Sequence, residues 1–198
     1  MSTADLPMAN NHQDPLRVRL TRQVEGIAPW DDLESVHATA VVKWIASRAP
    51  LYRVLKPNVP DPHLVSYFVV LNKREELLLV AHRNAGLWLP SGGHVEPGED
   101  PWETVARECQ EELHIPATPH PLVGDRPFFI TTARTRGEGS HVDVSLWYVL
   151  EAETVTTYDR QEFDGVRWVT LSQILDEPAD VLDPHMHRFT RKLIAAFG

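Results

Sequence analysis

The sequence has little cysteine, no long apolar run and a shortage of basic residues. Cys109 is the single cysteine among 198 residues, so no intrachain disulfide can form, which is usual in a reducing compartment. No stretch approaches the ~18 apolar residues of a membrane span. Residues 1–15 are polar and lack the apolar segment of a secretion signal. We therefore expect a cytoplasmic protein with no membrane partner and a disordered N-terminal end.

The shortage of basic residues gives a formal net charge of -9, from 19 Lys and Arg residues against 28 Asp and Glu residues. A nucleic-acid polymer is bound through a basic face, so we do not expect such a partner. A small nucleotide is compatible with this charge, because bound cations can supply positive charge locally. The length suits one domain with an added segment.

The first part of the chain is predicted to be mostly helical. Residues 1–29 are interpreted as a tail and lead-in, a helix is predicted from Asp31 or Asp32 up to Pro50, and a proline-rich connector follows at 56–62. The apolar stripe of the helix is Leu33, Val36, Ala40, Val41, Trp44 and Ile45. We expect this helix to pack on its own domain, with a dimer interface or a cover over the site as alternatives.

Strands and helices are mixed in the rest of the chain. Strands are predicted at 64–71, 76–81, 128–132, 141–150 and 165–169, and helices at 171–175 and 184–196. The glycine- and proline-rich stretch 87–98 is predicted as a loop. This mixed order favours an α/β or α+β fold in which helices cover a mixed sheet.

An acidic helix is predicted from Pro101 to Leu113. Asp100 is suited to cap it, Pro101 to occupy its first position and Glu103 to complete a capping box. Its apolar stripe is Trp102, Val105, Ala106, Cys109 and Leu113.

Three carboxylates of this helix, Glu108, Glu111 and Glu112, fall outside the stripe and near one another, where they repel. A hard divalent cation such as Mg²⁺ would reverse that repulsion, since it binds oxygen ligands and favours sites that hold phosphates. A solvated acidic face is the alternative. The glycines of the preceding loop would let a backbone carbonyl approach a metal, or would only form a tight turn. They are Gly92, Gly93 and Gly98.

The segment from Gly93 to Ile115 resembles the Nudix box. That box reads Gly, five residues, Glu, seven residues, Arg-Glu, an aliphatic residue, any residue, Glu-Glu, any residue, Gly and an aliphatic residue. The residues that match at the required spacing are Gly93, Glu99, Arg107, Glu108, Glu111, Glu112 and Ile115. Cys109 takes an aliphatic place as a small hydrophobic residue. His114 replaces the glycine that ends the helix, in a left-handed conformation that histidine tolerates better than most residues.

The resemblance implies a Nudix-type α/β/α sandwich with a mixed β-sheet over residues 61–198, after an N-terminal tail and helical extension at 1–60. It also implies a Mg²⁺-dependent hydrolase, with Mn²⁺ able to substitute, that cleaves a diphosphate linkage in a nucleoside di- or triphosphate or a related nucleoside diphosphate compound. A pyrophosphatase for ADP-ribose, dinucleotides or nucleotide sugars ranks second. A domain that senses a nucleotide without cleaving it ranks third, and a homodimer is compatible with each.

The resemblance also assigns roles by position. The expected metal-binding residues are Gly92 or Gly93 through a backbone carbonyl, and Glu99, Glu108, Glu111 and Glu112 through carboxylates. Glu99 has a second possible role, which is to hold the loop to the helix. Arg107 would orient the carboxylates through ion pairs with Glu111 and Glu103, which lie four residues away on either side.

Further candidates lie outside the box. Glu162, in the loop before a late strand, is favoured as general base or additional metal ligand, with Asp159 or Asp164 as alternatives. The candidates for phosphate contacts, in or beside a polar loop that is otherwise only solvated, are Arg134, Arg136 and His141. The aromatic residues that would stack on a base, if they are not core residues, are Trp88, Phe128 and Trp147.

Overall fold

A mixed β-sheet of seven strands lies between helices in the computed structural model, which describes residues 14–56, 59–136 and 139–197. The strands of this part of the chain are β1 (His63–Leu71), β2 (Glu76–His82), β3 (Leu87–Leu89), β4 (Ser91–His94), β5 (Phe129–Arg134), β6 (Val142–Glu151) and β7 (Phe163–Thr170). Its helices are α1 (Pro15–Glu25), α2 (Asp32–Ala46), α3 (Pro101–Leu113), α4 (Leu171–Asp176) and α5 (Met186–Phe197).

Strand β1 organises the sheet because it has different neighbours along its length. It runs parallel to β6 from the pair His63 and Asp143 onward. Its first half pairs with β4 and its end meets β2, both antiparallel. Strand β2 in turn pairs with β3 and β7. The sheet therefore forks along β1, and the strands on the two sides of the fork contribute to the walls of one cavity.

The alternation of side chains along β1 builds a core on each face of the sheet. Leu64 and Phe68 belong to a buried cluster that includes residues of α1, α2 and α3, such as Val105. Val69 and Leu71 belong to a second cluster with α4 and α5, which includes Phe189. Helices thus cover both faces, and the predicted fold class, an α+β sandwich around a mixed sheet, is confirmed.

Helix α1 lies within residues 1–29, where only a tail and lead-in were predicted, so that prediction is wrong for 15–25. The Asp14 side chain caps the helix by accepting a hydrogen bond from the Leu16 amide at 3.1 Å, and Pro15 occupies its first turn. Leu20 and Val24 are buried on its inner face. The helix was missed because its amphipathic pattern is short and follows a polar tail. The disorder predicted for the N-terminal end concerns residues that lie mainly outside the described ones.

Helix α2 agrees with its predicted position but not with its predicted stripe. Val41 and Ile45 are buried, whereas Leu33, Val36 and Ala40 are exposed. The helix turns the carboxylate of Glu34 inward instead. That carboxylate pairs with Lys192 at 2.7 Å and accepts a hydrogen bond from the Ile130 amide at 3.3 Å.

Helix α2 therefore packs on its own chain, against α1 and β5, and its described residues do not line the cavity. A boundary at residue 60 stays a prediction, since both N-terminal helices share a core with the sheet.

The stretch 87–98 forms two short strands rather than a loop throughout. Gly92 and Gly93 sit opposite Tyr67 and Ser66, so backbone pairing makes β4 although its residues have poor strand propensity. Among the described residues, no helix is long and apolar enough to cross a bilayer.

Candidate active site

Helix α3 begins and ends at residues that the sequence marks. Asp100 accepts a hydrogen bond from the Trp102 amide at 3.0 Å. It also forms a capping box with Glu103, in which the Asp100 side chain accepts from the Glu103 backbone and the Glu103 carboxylate accepts from the Asp100 amide at 2.8 Å. At the other end, His114 adopts the left-handed conformation, with φ 56° and ψ 31°. The helix therefore closes as it would with glycine, and its last carboxylates keep their helical positions.

The buried face of α3 contains Val105, Cys109 and Leu113, as predicted, and also Thr104 and Glu112. The structure exposes Ala106 to solvent, so its place in the predicted stripe is wrong. The periodicity of the sequence assigned Glu112 to the polar face, whereas the structure buries it. Hydrogen bonds from a serine hydroxyl and a backbone amide on β4 satisfy its carboxylate there.

Strand β4 approaches both α3 and β1 so closely that glycine is required at two positions. A Cβ atom on Gly93 would overlap the carboxylate of Glu108. A Cβ atom on Gly92 would come within 2.8 Å of the Tyr67 Cα atom. The absence of side chains here brings the backbone of β4 beside the carboxylates of the helix.

The three carboxylates of α3 differ in burial. Glu112 is 5% exposed and accepts hydrogen bonds from the Ser91 hydroxyl and from the Gly92 amide, the latter at 3.2 Å. Glu108 is half-buried and Glu111 is exposed. Burial raises the pKa of Glu112 to about 9, the Ser91 hydrogen bond opposes this rise, and the Glu108 and Glu162 carboxylates add to it.

The pKa of Glu108 is also raised, by burial first, although the adjacent Arg107 guanidinium opposes the rise. Two carboxylates that resist ionisation in the free protein are a suitable site for a hard divalent cation, because the cation favours their charged forms. The oxygen donors of Glu108, Glu111 and Glu112 therefore fit the expected Mg²⁺ in chemistry and in charge.

Arg107 forms ion pairs with three carboxylates of the box. Its guanidinium contacts Glu99 at 3.0 Å, Glu108 at 2.6 Å and Glu111 at 3.5 Å. The expected partner Glu103 is instead engaged in the capping box. The position of Arg107 is therefore that of a group that orients carboxylates, chiefly Glu108.

Glu99 lies between the loop and the helix. Its carboxylate accepts hydrogen bonds from the Thr104 hydroxyl at 2.7 Å, from the Glu96 amide at 3.0 Å and from Arg107. These contacts are those of a residue that holds the loop to α3, and Glu99 does not line the cavity.

Glu162 reaches the box carboxylates from the start of β7. It lies within hydrogen-bonding reach of Glu112, and its charge acts on both Glu112 and Glu108. Of the alternatives, Asp164 pairs with Arg83 at 2.9 Å and Asp159 accepts a hydrogen bond from the Gln161 amide at 2.7 Å. Neither lines the cavity, whereas Glu162 does.

The carboxylates lie in the wall of a cavity of about 1000 Å³. Arg134 and Arg136 line the same cavity and are exposed, and Arg134 is 3.7 Å from Asp61. Arg53, which the sequence did not single out, also lines it. Trp88, Phe128 and Trp147 do not line it and pack in or against the core, so base stacking by these residues has no support.

A second cluster in the described part of the chain escaped the sequence analysis almost entirely. It contains His63, His94, His141 and Asp143. Of these four residues the sequence pointed only to His141, as a candidate for phosphate contact. Burial lowers the pKa of His94 to about 3, with the Arg53 charge as a further cause. The sequence offered two signs of this cluster, namely the pattern His141-Val-Asp143 and the histidine after Gly93. The residues around each of them do not show that the two segments meet in the fold.

The chain is similar to known proteins in sequence and in fold. The family model described as "NUDIX domain" matches residues 61–193. The asymmetrical bis(5'-nucleosyl)-tetraphosphatase of Caenorhabditis elegans is 46% identical over 52 residues, which are 26% of this chain and 38% of that protein. The CTP pyrophosphohydrolase of Escherichia coli K12 is 27% identical over 120 residues, which are 58% of this chain and 82% of that protein.

Among solved structures, the MutT protein of Methanosarcina mazei Go1 is 22% identical and has a TM-score of 0.54, over 68% of this chain and 95% of that one. At this level of identity the similarity shows a shared fold. The chain spans well under half of the C. elegans relative that it matches.

Proposed function

The chain belongs to the NUDIX domain family, and from this premise we propose that it is a metal-dependent hydrolase that cleaves a diphosphate linkage. The substrate is a nucleoside di- or triphosphate or a related nucleoside diphosphate compound, and water attacks phosphorus. The observation that carries the proposal is the convergence of Glu108, Glu112 and Glu162 in one cavity wall, with carboxyl pKa values raised by burial at the first two.

The proposed ion is Mg²⁺, with Mn²⁺ as a substitute. Glu108, Glu111 and Glu112 would hold it together with the backbone carbonyl of Gly92 or Gly93. When bound, it neutralises charge on the non-bridging phosphate oxygens and lowers the pKa of a coordinated water. Glu99 remains a candidate for a further water-mediated contact, although its three hydrogen-bond donors favour the structural role.

The protein supplies orientation and proton transfer. Arg107 holds the Glu108 carboxylate through a 2.6 Å ion pair, which limits the rotamers of a long side chain beside Gly93. Glu162 is proposed to accept the proton of the attacking water. Its contact with Glu112 supports this role, since Glu112 would be committed to the ion while Glu162 has no other assigned duty.

Arg134 and Arg136 are proposed to bind the phosphates, because both are exposed cations in the same cavity. His141 is a weaker candidate than the sequence indicated. Its Nδ1 atom lies 2.8 Å from the Gly139 carbonyl oxygen and its Nε2 atom lies 3.1 Å from Asp143. Both ring nitrogens thus already face groups of the protein.

The test is a panel of nucleotides incubated with the full chain and Mg²⁺ in ¹⁸O-labelled water, with products identified by mass. A nucleoside triphosphate, a dinucleoside polyphosphate, ADP-ribose and a nucleotide sugar separate the two enzymatic alternatives, and the position of the label identifies the attacked phosphorus. Binding of a nucleotide without any product would refute the hydrolase and support the sensor. We also propose a cytoplasmic location, a homodimer and the lack of a nucleic-acid partner.

A further inference from the structure

The cluster of His63, His94, His141 and Asp143 lies where three strands start or end near one another. His63 and Asp143 are opposite each other at the beginning of the parallel pair β1 and β6. His94 is the last residue of β4, and His141 immediately precedes β6. One nitrogen from each ring and one carboxylate oxygen lie within 4.8 Å of one another.

The polar atoms at the centre of this cluster lack hydrogen bonds. His63 is 0% exposed and Asp143 is 7% exposed. Among the described residues, His63 Nε2, His94 Nε2 and Asp143 Oδ1 are buried without a hydrogen-bond partner. Leaving buried polar atoms unsatisfied costs about 1–3 kcal/mol each, so a native structure that holds three of them together requires an explanation.

The outer contacts determine the ring tautomers. His63 Nδ1 lies 2.7 Å from the Pro60 carbonyl oxygen, and His141 Nδ1 lies 2.8 Å from the Gly139 carbonyl oxygen. A carbonyl can only accept, so each Nδ1 atom donates a proton. In the neutral rings each Nε2 atom then presents a lone pair. Both atoms lie close to the same Asp143 oxygen, at 3.4 Å from His63 and 3.1 Å from His141, without forming a hydrogen bond to it.

Nitrogen lone pairs close to a carboxylate oxygen are repelled by its negative charge unless a cation lies among them. Histidine ligands of metals show the same arrangement, because one nitrogen donates to a backbone carbonyl while the other binds the ion. A proton on one imidazole could join only one of these nitrogens to Asp143. It would leave His94 Nε2, at 4.0 Å from the same oxygen, without a partner.

We propose that His63, His94, His141 and Asp143 bind one Zn²⁺ ion, at a site separate from the carboxylates of α3. Three imidazoles and one carboxylate suit Zn²⁺, whereas Mg²⁺ prefers oxygen ligands alone. In a tetrahedral Zn²⁺ site with bonds near 2.0–2.1 Å the ligand atoms lie about 3.3 Å apart. The His63 and His141 contacts to Asp143 already match that edge, whereas the wider pairs of ligand atoms, which lie within 4.8 Å of one another, must close by up to about 1.5 Å.

Four protein ligands describe a closed site, which is structural rather than catalytic. Its effect on the cavity would be to fix the position of strand β4. His94 directly follows Gly93, whose backbone lies against Glu108. The ion would therefore anchor the end of β4 to the start of β1 and β6, and so hold the strand on which the neighbouring carboxylates pack.

The experiment uses the full chain without a histidine tag, since a tag would itself bind Zn²⁺. Chelator-treated protein is given one equivalent of Zn²⁺, desalted and analysed for metal content. Co²⁺ replaces Zn²⁺ in a parallel sample to record the visible absorption of a tetrahedral site. We expect one Zn²⁺ per chain, a tetrahedral Co²⁺ spectrum and a rise in Tm with Zn²⁺ that Mg²⁺ does not produce.

The variants are Asp143→Asn and His141→Gln. Either should weaken Zn²⁺ binding by at least ~100-fold, beyond the cost of losing an outer hydrogen-bond partner. His141→Gln is included because its ring lies at the cavity edge, so it should fold even if the buried Asp143→Asn does not. His120→Gln, whose ring stacks on Phe197 away from the cluster, should bind Zn²⁺ as the wild type does.

Glu111→Gln separates this proposal from the proposed function, because it should keep Zn²⁺ while losing Mg²⁺-dependent turnover. Sub-stoichiometric Zn²⁺ in the wild type, or binding that neither cluster variant weakens, would overturn the assignment. The cluster would then be a histidine–aspartate pair that shares a proton.

Discussion

Replacing Glu112 by Gln tests the electrostatics of the box most directly. Glutamine keeps the shape and the oxygen that accepts from Ser91 and from the Gly92 amide. It has no carboxyl group that must take up a proton when the metal-free chain folds near neutral pH. The same change should therefore stabilise the metal-free fold and damage catalysis, a combination that a merely structural glutamate would not give.

The magnitude follows from linkage. The pKa of Glu112 is raised from 4.5 to about 9 in the folded chain, chiefly by burial. Below pH 4.5 both the folded and the unfolded forms are protonated, so there is no penalty. Between pH 4.5 and 9 the folded form binds more protons, so stability falls as pH rises. At about 1.4 kcal/mol per pH unit, the penalty at pH 7 is on the order of 3 kcal/mol.

The assay is urea unfolding of the wild type and Glu112→Gln in excess chelator, from pH 4 to pH 8. The variant should equal the wild type near pH 4 and exceed it increasingly toward pH 8. In Mg²⁺ its turnover should fall at least ~10²-fold, as expected when a principal electrostatic group is lost. Glu111→Gln, at an exposed position, is the matched control for stability, since it should change the unfolding free energy little.

A variant that is less stable than the wild type at pH 7 in chelator would refute this reasoning. So would a stability difference that does not vary with pH. Either result would mean that Glu112 is stabilised by its hydrogen bonds more than it is destabilised by burial.

The remaining predictions concern the metal, the base and the helix end. Excess chelator should abolish turnover and Mg²⁺ or Mn²⁺ should restore it; undiminished turnover in chelator would exclude a metal-dependent reaction. Glu162→Gln should cost roughly 10²–10⁴-fold in turnover and alter the acid limb of the pH profile, whereas Asp164→Asn, at a surface ion pair, should behave like wild type. If raised Mg²⁺ rescues Glu162→Gln, the residue is a ligand and not a base. His114→Gly should raise the unfolding free energy by up to about 1 kcal/mol, because glycine adopts the left-handed conformation without strain; a loss of stability would show that the 3.0 Å contact between His114 and Thr157 outweighs that strain.

Local chemistry explains why the acidic helix was predicted so closely. Its cap, its first proline and its box partner lie within four residues, and hydrogen bonds between near neighbours do not depend on the rest of the fold. The left-handed His114 is equally local. The errors have a different origin. Glu34 is buried because Lys192 and the edge of β5 meet it, and neither is visible in the pattern of α2.

The sequence by itself determined the box, its spacing and therefore which carboxylates share one side of a helix. Only the tertiary structure decided that Glu162 reaches Glu112 while Asp164 faces solvent. It also decided that His63 and His94 meet a histidine and an aspartate at the start of β6. The physical reason is the same in both cases. Strand register and the fork along β1 bring together segments that are far apart in the chain, and side-chain burial follows from that pairing rather than from neighbours in sequence.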